Sequence, residues 1–522
     1  MAQQLVVIGA GAAGCAAALE AATLGLRVIL VDEHPQSLQA ISLDAPYFYG
    51  ARLPAMLADT AAISARVLGA NELLQECREA GVEILTGTCS WGSFRPGANS
   101  AHLATPQLGL ADAERSWMID YDNLILAPGS RDLVLSFPGW NLPGVLGANG
   151  ATALLARYQV LPGRRMIILG SGNLALRTAK LALEKGIEIA GILEAGPRIR
   201  GEAALASEIS AAGVPLLTGR TIERALGEHA PGEHVPGDGE VQGVRLVLVD
   251  GAFQPIAGGA EEIACDTICM AFGAVPNVEL AALTGCRIEF DAKRGGWAPA
   301  IGGDFRSSLA NVFVVGDGAG VSDAMHLDSS IAMEQGRRAA RAAAGISASA
   351  SLPLSVAGDE TMLAAARDWL GALVKVGGLD VMVCPCEEVN RRDLLDIKPP
   401  GHLANRRSYG GVAVLSAAGR TSQDSLKRVT RAGMGHCQGK RCRDQVLMLL
   451  AAATGSDLGN LVPGSYRAPL RPLPLNVLWA DEESEAIRRS WPIWLHPVEE
   501  GAPGYASARS RDDKRGDKDG KG

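Results

Sequence analysis

The stretch QLVVIGAGAAGCAAALEAATLGLRVILVDEHP, residues 4 to 35, constrains the fold more than any other part of the chain. An apolar run, Leu5 to Ile8, reads as a buried strand and breaks at Gly9-x-Gly11-x-x-Gly14. An alanine-rich helix follows, and a second apolar run, Val28 to Val31, ends on Asp32 and Glu33. Each residue has a physical role in a strand-turn-helix-strand unit. Gly9 permits the tight turn, Gly11 lets the backbone approach a pyrophosphate, and Gly14 allows close packing of helix on strand. The helix N-terminus faces the phosphates. Asp32 stands where a carboxylate accepts hydrogen bonds from an adenosine ribose, and Glu33 extends that acidic end. The pattern predicts an adenine dinucleotide on Gly9, Gly11, Gly14, Asp32 and Glu33.

The unit occurs twice. RMIILGSGNLALRTAKLALEKGIEIAGILEAGPRIR, residues 165 to 200, repeats the strand, the turn Gly170-x-Gly172-x-x-Ala175, the helix and a second strand closed by Glu194. This predicts a second nucleotide fold, for NAD(P) or for ATP or AMP. A fold that keeps the shape without the ligand would leave the same trace. Arg198 and Arg200 admit contact with a 2′-phosphate beside the plainer reading of solvated loop charge. At 522 residues, with 47% apolar residues and 63 glycines, the chain is long enough for roughly three α/β domains at about 150 residues each. The net charge of -8 gives no general attraction to nucleic acid. No Lys or Arg precedes Arg27, so the start lacks the charged region of a signal peptide and cytoplasmic residence is expected.

A third segment, LANVFVVGDGAGVSDAMHLDSSIAMEQGRRAA, residues 309 to 340, is a strand ending in Gly316-Asp317-Gly318 before a helix. Here the chain resembles the two-dinucleotide-domain flavoproteins of the glutathione-reductase type. The resemblance implies FAD as the first nucleotide, with Gly316 and Asp317 on its ribityl side. It also makes LILAPGS, residues 124 to 130, the first crossover, with Gly129 at the cofactor and Pro128 where relatives usually carry Thr. His326 is the one histidine near that site, and an ordinary helical role suits it best.

Cysteines refine the picture. Disulfide reductases of this architecture place a close redox pair beside the flavin, and neither nucleotide fold offers one. Cys15, Cys77, Cys89 and Cys286 are isolated, and Cys265 and Cys269 share what reads as a strand, so buried core thiols are expected. Cys384-x-Cys386 and Cys437-x4-Cys442 are different. Four thiolates in two close pairs suit a 2Fe-2S cluster or a zinc ion, and the spacing leaves both open. Gly433, Gly435 and Gly439 let backbone amides approach the sulfurs, and Arg431, Lys440 and Arg441 offset their charge.

The runs VCPCEEV, TRAGMGHCQGKRC and YRAPLRPLPL, with the crossover FPGWNLPGVLGANGATALL, resemble the FAD- and iron-sulfur-containing subunit of heteromeric amino acid dehydrogenases. That family holds the A component of opine oxidase (octopine or nopaline dehydrogenase), the B component of hydrogen cyanide synthase, and hydroxyproline dehydrogenase and sarcosine oxidase relatives. Its C-terminal module is similar to bacterioferritin-associated ferredoxin. The resemblance implies a 2Fe-2S cluster on Cys384, Cys386, Cys437 and Cys442, and FMN at a subunit interface. It implies a partner β subunit of the D-amino-acid-oxidase type, a small third subunit, and a respiratory acceptor reached by peripheral association with the inner membrane. Substrate oxidation then belongs to the partner, so no catalytic residue is expected here. Two rivals stand beside this reading: a self-sufficient NAD(P)H-dependent flavoprotein reductase, and a non-redox scaffold binding zinc and nucleotides.

The sequence departs from the family at residues 36 to 50, where a glycine-rich flavin loop is missing, and between Cys386 and Cys437, where PPGHLANRRSYGGVAVLSAAGR reads as an insertion looping away from the cluster. The expected organisation is an α/β chain of two Rossmann folds with a small C-terminal 2Fe-2S domain. The FAD fold covers 1–158 and 263–345, the second nucleotide fold 159–262, a linker 346–378 and the 2Fe-2S domain 379–455. A packing segment covers 456–499 and a disordered tail 500–522.

Overall fold

A computed structural model describes residues 3–35, 60–97, 100, 103–161, 163–227, 239–346, 361–403, 409–417, 419 and 422–478. The expectations for 36–50 and 500–522 lie outside the described residues.

The first sheet is parallel throughout and uses β1 (Gln4–Ile8), β2 (Arg27–Val31), β3 (Glu83–Leu85) and β4 (Asn123–Leu126), with α1 (Ala12–Thr23) between the first two strands. Along β1, Leu5 and Val7 enter one core while Val6 and Ile8 enter another on the opposite face. An unbroken apolar run is what a central parallel strand needs, since both of its faces are covered. The second sheet contains β5 (Val145–Gly147), β6 (Arg165–Leu169), β7 (Glu188–Glu194), β8 (Leu216–Thr218) and β9 (Thr267–Met270), in the order β8-β7-β6-β9-β5. Its pairs are likewise parallel, and α2 (Asn173–Glu184) follows β6 as α1 follows β1. The chain then returns through β10 (Val312–Val314), which completes the first sheet in the order β10-β4-β1-β2-β3 and leads to α3 (Ser329–Ala343).

On β6 the alternation repeats: Met166 and Ile168 face one core, while Ile167 and Leu169 face another. That second core does not stop at the sheet. It continues into α4 (Thr361–Gly377), the strand Met382–Cys384 and α5 (Arg443–Thr454), through Trp369, Leu373, Val383 and Leu447. The stretch expected to be a linker, 346–378, therefore contains a 17-residue helix. Leu363, Ala366, Trp369, Leu370 and Leu373 recur at helical spacing, and Trp369 is 1% exposed against Phe272. The insertion also fails to loop away: Val412 opens a short helix, Val412–Ala417, and joins the same core.

Arg391 locks this junction. It is 0% exposed, and burial lowers its pKa to about 10. Its guanidinium donates to the carbonyls of Leu373 and Gly378 at the end of α4, at 3.0 and 2.7 Å, and to that of Ser136. A cation on the last carbonyls of a helix satisfies acceptors that have no partner within it. Residues 475–522 form a separate unit, of which the described part is the short helix Leu475–Leu478. Among the described residues no helix is long and apolar enough to cross a membrane.

Candidate cofactor cavity and cysteine site

The C-terminal ends of β1, β2 and β4 meet at a cavity of about 710 Å³. Gly9 holds φ at +101°, and a Cβ there would stand 2.1 Å from the carbonyl oxygen of Ala127. A Cβ on Gly14 would stand 1.8 Å from the carbonyl oxygen of Gly9, so helix and turn touch backbone to backbone. Gly11 has nothing within 4 Å of its missing Cβ and lines the cavity. The Asp32 carboxylate accepts the N–H of Ala10 at 2.5 Å on one oxygen and that of His34 at 2.8 Å on the other. A carboxylate offers about four lone-pair sites, so each oxygen keeps one for a ribose hydroxyl. Glu33 and Gly129 also line the cavity, but Glu33 is ion-paired with Arg471 from the far end of the chain.

Gly316 and Asp317 stand one layer back. The Gly316 N–H donates to the Gln335 amide oxygen at 2.8 Å. One Asp317 carboxylate oxygen accepts the Ser130 hydroxyl at 2.8 Å and meets His326 Nε2 at 2.9 Å. Ser130 lines the cavity; Asp317 does not. Pro128 contributes to this offset, for its ring lies 2.6 Å from where a Cβ on Gly318 would be. His326 thus holds Asp317 and does not line the cavity, whose wall carries His34 instead.

In the second fold, Gly170 holds φ at +105° against the carbonyl of Ala271, Gly172 is open and Ala175 is buried, as in the first. Glu194 has a different fate from Asp32. It is 0% exposed: one oxygen accepts the Ser171 hydroxyl at 2.6 Å, and the other accepts the Gly196 N–H at 2.9 Å and Arg200 Nε at 3.2 Å. Arg200 also pairs with Asp368 of α4 at 2.6 Å, so both of its contacts are with this chain's own acids rather than with a phosphate. The loop is tied down further, with Gly201 N–H on the Ser171 carbonyl at 2.8 Å and Glu202 N–H on the Asn173 side chain at 2.8 Å.

Cys384 and Cys442 are 1% exposed, while Cys386 and Cys437 are half-buried. The four thiols lie close enough to perturb one another, Cys384 most strongly with Cys442 and Cys386 most strongly with Cys437. The contact with Cys386, and then the backbone N–H groups of Arg441 and Gly439, hold the Cys437 thiol down to about 5. Cys384 is lowered by Cys442, with help from the Gly433 N–H. A Cβ on Gly435 would fall 2.2 Å from that of Cys386, so only glycine lets the two loops close. Among the described residues no three His, Cys, Asp or Glu side chains converge as a single ion would require. Arg431, expected to offset thiolate charge, is taken by Glu387 at 2.5 Å.

Both cysteine loops form walls of the cavity. Pro385 lies between Cys384 and Cys386, Lys440 and Arg441 lie between Cys437 and Cys442, and all three line it. Arg131, also on the wall, donates to Glu279 at 2.8 Å and to Asp444 of α5 at 2.9 Å, joining the first fold to the helix that starts after Cys442. Sequence reading gave no hint of Arg131, nor of Tyr158, whose hydroxyl meets His34 Nδ1 at 2.6 Å. Of the isolated cysteines, Cys89 lines the cavity, and Cys77 donates to the Cys15 carbonyl at 3.6 Å. Cys15, Cys77, Cys265, Cys269 and Cys286 are buried, as expected.

Two parallel sheets, each with a glycine phosphate turn, around a cavity at the strand ends define a two-dinucleotide-fold oxidoreductase. The chain belongs to the pyridine nucleotide-disulphide oxidoreductase family, whose sequence pattern matches residues 3–344, and residues 411–482 match the sarcosine oxidase A3 domain. It is 25% identical to the A component of opine oxidase from Agrobacterium tumefaciens (strain Ach5), over 90% of each chain. It is 27% identical to the hydrogen cyanide synthase component HcnB of Pseudomonas aeruginosa, over 90% of this chain and 97% of that one. The alpha subunit of sarcosine oxidase from Rhizobium meliloti (strain 1021) is 27% identical, over 91% of this chain and 42% of that longer one. Among solved structures, L-proline dehydrogenase from P. horikoshii shares the fold with a TM-score of 0.57 at 16% identity, over 92% of this chain and 80% of that one.

Proposed function

We propose that this chain is the FAD- and 2Fe-2S-containing subunit of a heteromeric dehydrogenase that acts on the CH–NH bond of an amino acid or opine. It relays electrons from a partner flavoprotein subunit of the D-amino-acid-oxidase type to an external acceptor. The observation that carries this reading is that both cysteine loops wall the same cavity into which Gly11 and Asp32 open. The names of the relatives, each a subunit of an oxidase or synthase, support a multi-subunit setting.

The residues present fit both groups. Gly9, Gly11 and Gly14 admit a pyrophosphate, and Asp32 keeps acceptor sites for a ribose. The four cysteines of the two loops offer the thiolate donor set that a 2Fe-2S cluster takes. When bound, a flavin accepts two electrons and releases them singly, and a 2Fe-2S cluster carries one at a time. The chain's own part would be to hold both beside one cavity: Pro385, Lys440 and Arg441 belong at once to the cavity wall and to the cysteine loops. Of the residues that would hold the cluster, Cys384 and Cys442 are buried, and Cys386 and Cys437 are half-buried.

Glu194, fully buried and with three hydrogen bonds already made from within the chain, argues against the rival reading of a self-sufficient NAD(P)H reductase. An anaerobic absorption and EPR spectrum of the purified chain, with iron and zinc quantified, tests the proposal. Flavin bands with a rhombic EPR signal after dithionite are expected, and NADH alone should leave the flavin oxidised. Zinc in place of iron, or rapid bleaching by NADH, would refute it.

A further inference from the structure

The crossover between the two folds contains a π-helix, Ala153–Tyr158, closed by Gln159 in the left-handed conformation. Such turns are rare and concentrate at functional sites. This one belongs to neither glycine motif, yet Leu154, Arg157 and Tyr158 line the cavity of the first fold. We propose that the π-helix is a clasp for the adenine dinucleotide of the first fold, with Arg157 as the cation for its phosphates.

Two contacts tie the clasp to the site. Tyr158 is buried, its hydroxyl lies 2.6 Å from His34 Nδ1, and the two rings meet edge to face at 5.7 Å. His34 in turn donates its N–H to Asp32, the ribose carboxylate, at 2.8 Å. The chain Tyr158, His34, Asp32 therefore fixes the π-helix against the ribose end of the cavity. Arg157 is next to Tyr158 in this clasp. Burial and then the charge of Arg157 hold the His34 imidazole below its usual range, which places that charge beside the same end.

Lys440 and Arg441 belong to the cysteine loop, and the other cations of the cavity wall differ in what they already hold. Arg131 is paired with Glu279 and Asp444, and Arg471 with Glu33. Arg157 makes no hydrogen bond or ion pair among the described residues, although it is half-buried. The phosphate turn itself carries no basic side chain, since residues 9 to 14 read GAGAAG. A pyrophosphate brings two negative charges. The helix N-terminus supplies the equivalent of about half a charge, and a guanidinium with free donors adds one more in a geometry suited to phosphate oxygens.

The inference rests on the dinucleotide reading of the cavity, and its test separates the two. The full-length protein, stripped of nucleotide, is titrated calorimetrically with FAD, ADP and adenosine. Arg157→Met should weaken FAD and ADP roughly tenfold to 150-fold, the range for hydrogen bonds to a charged group. It should leave adenosine within twofold and the melting temperature unchanged, and Arg157→Lys should recover most of the ADP affinity. Tyr158→Phe, which acts through His34 on the ribose carboxylate, should weaken ADP and adenosine in equal proportion. ADP affinity unchanged in Arg157→Met, or adenosine lost in step with ADP, would overturn the role of Arg157 while the cavity stays a nucleotide site. Wild-type protein that binds none of the three ligands would overturn both readings.

Discussion

Replacing Arg131 by Met tests how the cysteine module is held to the cavity. Arg131 carries one guanidinium between two carboxylates, Glu279 at 2.8 Å and Asp444 at 2.9 Å, with side chains only 15%, 10% and 22% exposed. Burial alone would raise the Glu279 pKa, but Arg131, then Arg443 and Lys440, outweigh it and hold the carboxyl below its usual 4.5. Arg131→Met leaves two buried carboxylates facing each other without their shared cation. Breaking a buried pair in this way costs about 3–5 kcal/mol, most of it the desolvation of the abandoned charge. At about 2.1 cal/mol/K per residue, the 474 residues of the main unit give an unfolding entropy near 1 kcal/mol/K. The melting temperature at pH 7 should then fall by about 3–5 °C. The pH dependence carries a sign. In the wild type, the depressed Glu279 pKa contributes stability that is fully present above pH 4.5 and lost below it. In the variant, burial raises that pKa, so its penalty is relieved as pH falls from 7 towards 4.5 and the gap between the two proteins narrows. Differential scanning calorimetry across that window checks both points. A drop under 1 °C at pH 7, or a gap that widens on acidification, would refute the claim that Arg131 is the counter-ion at this junction.

Other outcomes follow from the same geometry. Cys437→Ser should abolish the reduced-cluster EPR signal while FAD remains bound, as measured by flavin absorbance; loss of both would show that the sites are not independently assembled. Gly14→Ala puts a methyl group 1.8 Å from the Gly9 carbonyl, so purified protein should contain less than a tenth of the wild-type flavin. Asp132 lines the cavity and accepts N–H groups from Asn149 and Gly150 at 2.7 and 3.1 Å, yet burial raises it to about 6. An acid raised in the folded state makes stability rise as pH falls from about 6 to 3.8. Asp132→Asn should flatten that part of a melting-temperature profile.

What was legible in the sequence is what short-range geometry dictates. Gly9, Gly11, Gly14 and Asp32 lie within one strand-turn-helix-strand unit, where each residue type is required by a backbone approach a few residues away. Glu194 occupies the same place in the second unit, but its role is decided by Arg200 and Ser171, which no motif encodes. The joint between cavity and cysteines was hidden for a similar reason. Arg131 and Asp444 are 313 residues apart, and Arg471 and Glu33 are 438 apart. Such pairs follow from how finished elements pack, not from local pattern. Helix α4 was legible in principle, since its apolar residues recur at helical spacing, but the small residues of GISASASLPLSVAGDE before it drew the linker too far.

The core shared by the second sheet, α4 and the cysteine module bears on how such a protein could be taken apart or recombined. Residues 379–455 do not carry a self-sufficient interior: Val383, Cys384 and Leu447 share one buried core with Leu373 and Trp369, which lie upstream of them. Cut free, the module would present that apolar face to water and leave Arg391 without the carbonyls of Leu373 and Ser136. It is thus a graft that has lost its own rootstock, exchangeable between proteins only together with the helix and the sheet on which it grew.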